Sequence, residues 1–187
     1  MRKLVMGFAN AGQVILSQYI GAGNQKRVKG TIGTMFTLTL SSAVVLSVVC
    51  YFILDWYLTL MNTPTESYDY ARQYSLTCIF GLIFIYGYNL VSAILRGMGD
   101  SKHPFMLIAV ATVVNLLLDL LFVAVFQMGP FGAALATVIG QGVSFVASLV
   151  YLYRRREAFG FDFRPASFRI DGAAFRRLLA LGIPMAI

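Results

Sequence analysis

The chain has 187 residues, of which 58% are hydrophobic and 12% are charged. A soluble domain carries about 25% charged residues, so this composition excludes an ordinary cytosolic globular enzyme. Lys and Arg number 15 against 8 Asp and Glu, a net charge of +7. Most of the basic residues lie in short segments between apolar blocks, which favours a membrane protein over a nucleic-acid-binding protein. We therefore expect no nucleic-acid partner.

Uncharged blocks about twenty residues long predict membrane-spanning helices, because a bilayer core takes about 20 helical residues and excludes unpaired backbone. The long block that starts at Phe105 is broken at 127–130, where Gly and Pro interrupt a helix. The expected fold class is an all-α, polytopic membrane helix bundle in a lipid bilayer. Its helices are predicted near residues 4–20, 31–56, 74–95, 104–126 and 131–153.

Cysteine and histidine usage gives no sign of a catalytic or metal site. Cys50 and Cys78 lie in separate apolar blocks and form no CxxC pair, so neither a disulfide framework nor a zinc site is indicated. His103, the single histidine, lies in a predicted loop. Because the sequence contains no paired acids, His cluster or activated Ser or Cys, we predict no catalytic residue and no enzyme.

The distribution of basic residues predicts the orientation of the helices, because positive charge collects in cytoplasmic loops. Twelve of the fifteen Lys and Arg residues fall in the predicted loops 24–30, 96–103 and 154–177. The loops 57–72 and 127–130 hold one basic residue, Arg72. We predict that the first three loops are cytoplasmic and that the other two face outward. The stretch 154–177 also carries several phenylalanines and is suited to an anionic membrane surface.

Both ends of the sequence indicate that the chain is part of a larger membrane protein. Arg2 and Lys3 would lie outside on this map, whereas a basic start usually stays inside. At the other end, residues 178–187 supply half of a crossing. We expect an internal fragment that lacks a preceding helix.

Asp119 is the one acid deep within an apolar block, where a charge costs about 2.5–3.5 kcal/mol on insertion scales. Asn115 precedes it by one turn, so both side chains project from one face of the helix. The next helix returns after a turn centred on Met128. Counting residues from that turn matches Asp119 with Thr137, and Asn115 with Gln141. The sequence predicts two polar layers facing each other across one hairpin.

The chemistry of these residues leaves three alternatives open. Carboxylate, amide and hydroxyl oxygens are suitable ligands for a small hard cation. In a low-dielectric site burial favours the protonated carboxyl group, so Asp119 could carry a proton instead. Asn115, Thr137 and Gln141 could also only join the helices through hydrogen bonds, which contribute about 0.6 kcal/mol each.

Four sequence segments resemble consecutive motifs of the multidrug and toxic-compound extrusion (MATE) transporters. They are Gln18-Tyr-Ile-Gly-Ala-Gly23, Leu95-Arg-Gly-Met-Gly-Asp100 followed by Pro104, Asn115-Leu-Leu-Leu-Asp119, and Gly132-Ala-Ala-Leu-Ala-Thr137. The resemblance implies a protein of twelve helices in two six-helix lobes, in a prokaryotic plasma (inner) membrane. Such a protein exports amphipathic or cationic small molecules by antiport against Na⁺ or H⁺, and needs no cofactor besides that coupling ion.

The resemblance also implies a division of the chain. Residues 1–153 would form a partial N-terminal lobe, 154–177 a basic cytoplasmic interlobe loop, and 178–187 the start of the next helix. The first helix of that lobe and the C-terminal lobe would be missing partners. The family's further acid on the first helix has no counterpart here, so the chain is expected to be inactive alone.

The resemblance assigns the cation or proton coupling site to Asn115, Asp119 and Thr137, which would also be the Na⁺ ligands, and leaves Gln141 as a substrate or polar-layer residue. Two alternatives remain. A related lipid-linked oligosaccharide flippase would line its cavity with basic residues, whereas the predicted spans here contain none. A non-transporting membrane scaffold would use Asp119 only for helix packing.

Overall fold

The structure is a computed structural model and describes residues 2–155 and 170–186. Within these residues it contains helices and no strand, so the expected all-α fold class is confirmed. In chain order the elements are α1 (Arg2–Gly21), α2 (Gln25–Leu60), α3 (Thr65–Gly97), α4 (Lys102–Asp119), a π-helical segment (Leu120–Val125), α5 (Gly129–Arg154) and α6 (Gly172–Ala186).

Four stretches of the described chain are long and apolar enough to cross a membrane: α2, α3, α4 with the π-helical segment, and α5. The first predicted span corresponds to α1, whose apolar sequence is interrupted by Asn10, Gln13 and Ser17. α1 is nevertheless a continuous helix of 20 residues. Length and composition thus support membrane crossing most strongly for α2 to α5.

The helices extend well beyond the predicted spans. α2 contains 36 residues, about 54 Å at about 1.5 Å per residue, whereas a bilayer core is about 30 Å thick. Lys26 and Arg27 therefore lie in the first turn of α2 rather than in a loop over 24–30. The loop predicted over 57–72 is reduced to residues 61–64. Charges mark a membrane boundary, but a helix can continue past it into water.

Two further boundaries differ from the prediction. His103 lies in the first turn of α4 rather than in a loop. α6 begins at Gly172, so the end of the predicted loop 154–177 is helical. Asp171 stabilises this start, because its Oδ1 accepts a backbone N–H of the first turn at 2.9 Å. Residues 156–169, and with them most of the predicted membrane-surface segment, lie outside the described residues.

The core lies where α1 packs against α2, α3 and α6. Its largest fully buried side chains, each at most 1% exposed, include Ile15, Leu16, Ile32, Leu90, Ile94, Leu95 and Leu178. The backbones of α1 and α3 approach closely at Gly97, where a Cβ atom would lie 2.9 Å from the carbonyl oxygen of Gln13. A small residue at such a point lets two membrane helices pack tightly.

α4 lies at the periphery of the bundle and packs mainly against α5. Of its residues, Pro104 and Ala111 are buried, whereas Val113, Leu116 and Leu117 are 57–61% exposed. Tyr88 of α3 holds one end, donating its hydroxyl to the carbonyl oxygen of Pro104 at 2.9 Å. α4 thus turns a wide apolar face outward and a narrow face toward α5, where the predicted site lies.

Candidate functional site

The predicted site lies on the hairpin of α4 and α5. The connection is short, as the sequence predicted: α5 begins at Gly129, directly after Met128. Gln127 and Gly129 have φ angles of 53° and 58°, in the left-handed region that glycine adopts without strain. Pro130 lies in the first turn of α5, where its missing N–H leaves no intrahelical bond unmade.

Glycines bring the two helices of the hairpin into close contact. A Cβ atom at Gly140 would lie 3.1 Å from Asn115 Cβ and 3.3 Å from the carbonyl oxygen of Ala111. Nearer the turn, a Cβ atom at Gly132 would lie 3.1 Å from Phe122 Cβ. Ala136, between these glycines, is fully buried. This small-residue face of α5 lets polar side chains of α4 reach α5 directly.

The structure joins two of the predicted site residues. Asn115 Nδ2 donates to Thr137 Oγ1 at 3.5 Å, a long hydrogen bond. Thr137 Oγ1 in turn donates to the carbonyl oxygen of Ala133 at 3.0 Å. Asn115 thus lies beside Gly140, one residue from the Gln141 that residue counting matched with it. Its hydrogen bond goes to Thr137, which counting matched with Asp119. Gln141 is half-buried one turn beyond Thr137, and its role stays a prediction.

A π-helical segment separates Asp119 from the turn of the hairpin. Phe126 N donates to the carbonyl oxygen of Leu121 at 2.9 Å, five residues back rather than four. Counting outward from the turn assumed equal helix geometry on both sides, whereas the wider π turns place more residues of the first helix in a given length. Single π turns within α-helices occur frequently at functional sites, and this one begins directly after Asp119.

Asp119 is the last residue of α4 before that segment. Within the described part of the chain, its Oδ1 is buried and has no hydrogen-bond partner. A buried oxygen without a partner is costly, and an unpaired carboxylate more so. A cation or a proton would remove that cost. The Asn115–Thr137 contact lies one turn away along the same helix face, so all three predicted coupling residues share one stretch of the hairpin.

A second polar cluster lies at the other end of α4, and sequence reasoning missed it. Asp100 Oδ1 lies 2.9 Å from His103 Nδ1 and accepts the backbone N–H of His103 at 3.2 Å. The hydroxyl of Tyr151 donates to Asp100 Oδ2 at 2.6 Å. The rings of His103 and Tyr151 stack with centroids 4.4 Å apart. These contacts tie the α3–α4 turn to the end of α5.

The electrostatics of this cluster favour an ionised Asp100. Burial opposes the charge, but the hydrogen bonds from Tyr151 and His103 outweigh it and hold the pKa of Asp100 below its usual value. The contact between Asp100 and His103 could have been predicted from the sequence, since an Asp three residues before a helical His can accept a backbone N–H of the first turn. Tyr151 lies 51 residues further on, and no local pattern indicates it.

A third polar contact connects α2 and α3 at their predicted outer ends. Arg72 Nε lies 2.8 Å from Asp55 Oδ1, which also accepts the hydroxyl of Tyr68 at 3.3 Å. Both charged side chains are about half exposed, at 41% and 57%. The one basic residue of the predicted outer loops is therefore paired with an acid on the neighbouring helix.

Comparison with known proteins agrees with the resemblance drawn from the motifs. The MatE family profile matches residues 3–121. The probable multidrug resistance protein YoeA of Bacillus subtilis (strain 168) is 34% identical over 188 residues, 97% of this chain and 40% of the relative. The probable multidrug resistance protein YpnP of the same organism is 34% identical over 152 residues, 81% of this chain and 34% of the relative.

The fold is also that of solved transporters. A multidrug resistance MATE family transporter in an inward-facing conformation superposes with a TM-score of 0.89 at 22% sequence identity, over 98% of this chain and 42% of that chain. The chain thus spans 34–40% of the length of the curated relatives named above. Members of this family are multi-pass membrane transporters of small molecules and not enzymes. With more than half of its residues matched by the family profile, the chain belongs to the MatE family.

Proposed function

We propose that this chain carries the ion-coupling hairpin of a secondary antiporter that exports amphipathic or cationic small molecules in exchange for Na⁺ or H⁺. The observation that carries the proposal is the buried, unpartnered Oδ1 of Asp119. An ionisable group inside a membrane helix is a functional candidate by default, because its insertion is costly.

The neighbouring groups suit a small cation. The side-chain oxygens of Asn115 and Thr137 lie one turn from Asp119 on the facing surfaces of α4 and α5, and hard cations prefer such oxygen ligands. A proton on Asp119 would equally remove the unpaired charge. Coupling requires a group that can bind the ion or proton within the membrane, and Asp119 is the carboxyl group in the membrane-spanning part of this hairpin.

The distribution of charge supports an orientation in a prokaryotic plasma membrane. Basic residues lie at the helix ends that join α1 to α2, α3 to α4, and α5 to α6: Lys26, Arg27, Arg96, Lys102, Arg154, Arg155, Arg176 and Arg177. This end of the bundle would face the cytoplasm under the positive-inside rule. Alternating access works between two structural repeats, so transport belongs to the full-length protein.

The decisive experiment replaces Asp119 by Asn in the full-length protein reconstituted into liposomes. The amide keeps the size of the side chain but cannot change charge. We expect efflux of a fluorescent organic cation driven by a Na⁺ or H⁺ gradient to be abolished, with normal protein abundance. Asp69→Asn is the matched control, because Asp69 is exposed at the predicted outer end of α3; it should retain efflux.

A scaffold role for Asp119 predicts the opposite pattern. Asp119→Asn would then be tolerated or stabilising, because the insertion cost of about 2.5–3.5 kcal/mol disappears with the charge. Ion-driven efflux at the unsubstituted rate from Asp119→Asn would refute the proposed coupling role.

A further inference from the structure

Two arginines at the predicted cytoplasmic end contact the same aromatic ring. Tyr19, near the end of α1, is 8% exposed. The guanidinium carbon of Arg27, in the first turn of α2, lies 5.6 Å from the centroid of its ring. That of Arg177, in α6, lies 5.5 Å from the same centroid, and Arg177 Nη1 donates to the Tyr19 hydroxyl at 3.0 Å. We refer to these three residues as the arginine–tyrosine cluster.

The cluster lies beside a cavity of about 260 Å³. Tyr19 lines this cavity together with Gly23, Asn24 and Gln25 of the α1–α2 turn and Met98 at the end of α3. Gly23 has a φ of 67°, the left-handed conformation that lets the chain reverse here without a side chain. The cavity therefore opens where apolar helices end and basic residues begin, the level of lipid headgroups in the predicted orientation.

In the part of the chain that the structure describes, the positive charges next to Tyr19 are not balanced by nearby negative charges. Among the described residues, neither guanidinium lies within ion-pair distance of a carboxylate. Asp171, at the start of α6, uses Oδ1 to accept a backbone N–H of that helix. Lys26 and Arg176, each next in sequence to one of the two arginines, are exposed and add positive charge. These cationic groups concentrate positive charge around Tyr19, and a bound anion would offset it.

We propose that the arginine–tyrosine cluster binds the phosphate group of an anionic phospholipid headgroup from the adjacent leaflet. Guanidinium groups recognise phosphate oxygens through paired N–H donors, and basic pockets between membrane helices are known forms of headgroup site. A lipid bound here would link α6 to the α1–α2 turn. This inference concerns a different end of the molecule from Asp119 and does not depend on ion coupling.

The test measures binding of a fluorescent phosphatidylglycerol to the purified full-length protein in detergent, with phosphatidylcholine as the net-neutral comparison. The double variant Arg27→Gln with Arg177→Gln removes the two guanidinium groups but keeps most of the side-chain length. We expect its affinity for phosphatidylglycerol to fall about 30-fold, since each basic residue near an anionic lipid surface contributes about a fivefold share.

The matched control is Lys26→Gln with Arg176→Gln, which removes the same net charge from exposed neighbours that do not contact Tyr19. Its affinity should fall less than about threefold, as expected for charges outside the contact. Tyr19→Phe keeps the ring and removes the hydroxyl, and it should produce an intermediate loss. Circular dichroism of each variant shows whether the helices are retained.

Three results would overturn the proposal. Equal losses in the two double variants would mean that the surface charge attracts lipid without a defined site. Equal affinity for phosphatidylcholine would mean that the net anionic charge is not recognised. Complete displacement of the lipid by a millimolar excess of inorganic phosphate would assign the cluster to free phosphate instead of a headgroup.

Discussion

The C-terminal part of α3 and the whole of α4 differ in how an apolar helix is packed. Leu90, Val91, Ile94 and Leu95 of α3 have no exposed surface, and they pack in the core with α1 and α2. In α4, two residues are buried, and the helix ends in a π-helical segment beside an unpartnered carboxylate oxygen. Regions that carry out a function often have the lower local stability, since unmade bonds and irregular backbone both cost free energy.

This difference implies that folding stability comes mainly from the core around α1, α2, α3 and α6, and that the peripheral α4, which carries Asp119, can change its charge state with less effect on folding. Substitutions in the first region should therefore change folding, and substitutions in the second should change ion dependence. The following predictions, all for the full-length protein, test that separation from the largest expected effect to the smallest.

The core should be sensitive to a lost side chain. Ile94→Ala should lower the free energy of unfolding by about 2–5 kcal/mol, because it removes buried methyl groups and leaves a cavity. Val113→Ala in α4 is the matched control, with a side chain that is 57% exposed and an expected change of about 0.5 kcal/mol or less. Unfolding in denaturant, followed by circular dichroism, measures both. A larger loss from Val113→Ala would contradict the assignment of stability to the core around α1, α2, α3 and α6.

The neutral site residues should affect ion dependence without affecting folding. Asn115→Ala and Thr137→Ala should each weaken the apparent affinity for the coupling ion about tenfold, since each removes one neutral oxygen ligand and leaves the charge of Asp119. Efflux rates measured across a range of Na⁺ concentrations and pH give this affinity.

Thr112→Ala is the matched control for Thr137→Ala. Thr112 Oγ1 donates to the carbonyl oxygen of Ile108 at 2.8 Å, the same kind of backbone bond that Thr137 makes. Both threonines are exposed, but Thr112 lies two helical turns before Asp119. It should leave the ion affinity unchanged. An equal effect in both variants would show that the loss comes from the helix backbone rather than from the site.

The cluster at Asp100 should add a pH-dependent contribution of about 1 kcal/mol. Because the pKa of Asp100 is lowered in the folded protein, its contribution is present above the unfolded value of about 3.9 and is lost as pH falls through the lower folded pKa. Tyr151→Phe removes the donor at 2.6 Å and should remove most of this contribution at neutral pH.

Unfolding of Tyr151→Phe at neutral and at acid pH tests the direction of this pH dependence. The difference from the unsubstituted protein should be largest near neutral pH and shrink as Asp100 becomes protonated. Tyr57→Phe, at an exposed tyrosine of α2, should show no such trend. A difference that grew toward acid pH would contradict the ionised state of Asp100.

The smallest effect should come from the ion pair at the predicted outer end. Arg72 and Asp55 are both about half exposed, and exposed pairs contribute little because water screens them. Arg72→Ala should leave unfolding and efflux unchanged within measurement error. A clear loss of stability would mean that this pair holds α2 against α3 more strongly than its exposure indicates.

The sequence by itself determined the helical class and the short turn before Gly129, because spacing of apolar residues and the chemistry of Gly and Pro act locally. It also identified Asn115 and Thr137, which the structure brings together, since a short antiparallel hairpin restricts which residues can meet. The family membership followed from the motifs, and the comparisons confirmed it. The roles of Asn115, Asp119, Thr137 and Gln141 remain predictions.

Only the tertiary structure decided the helix ends, the register of the hairpin and the contacts between distant segments. Helices continue past the membrane boundary because water also permits them, so charge alone did not predict the start of α2. The π-helical segment could not be included in residue counting, and its turns contain more residues than those of an α-helix. Tyr151 meets Asp100 across 51 residues and Arg177 meets Tyr19 across 158. Such contacts depend on how whole helices rotate and cross, which is decided by packing throughout the bundle.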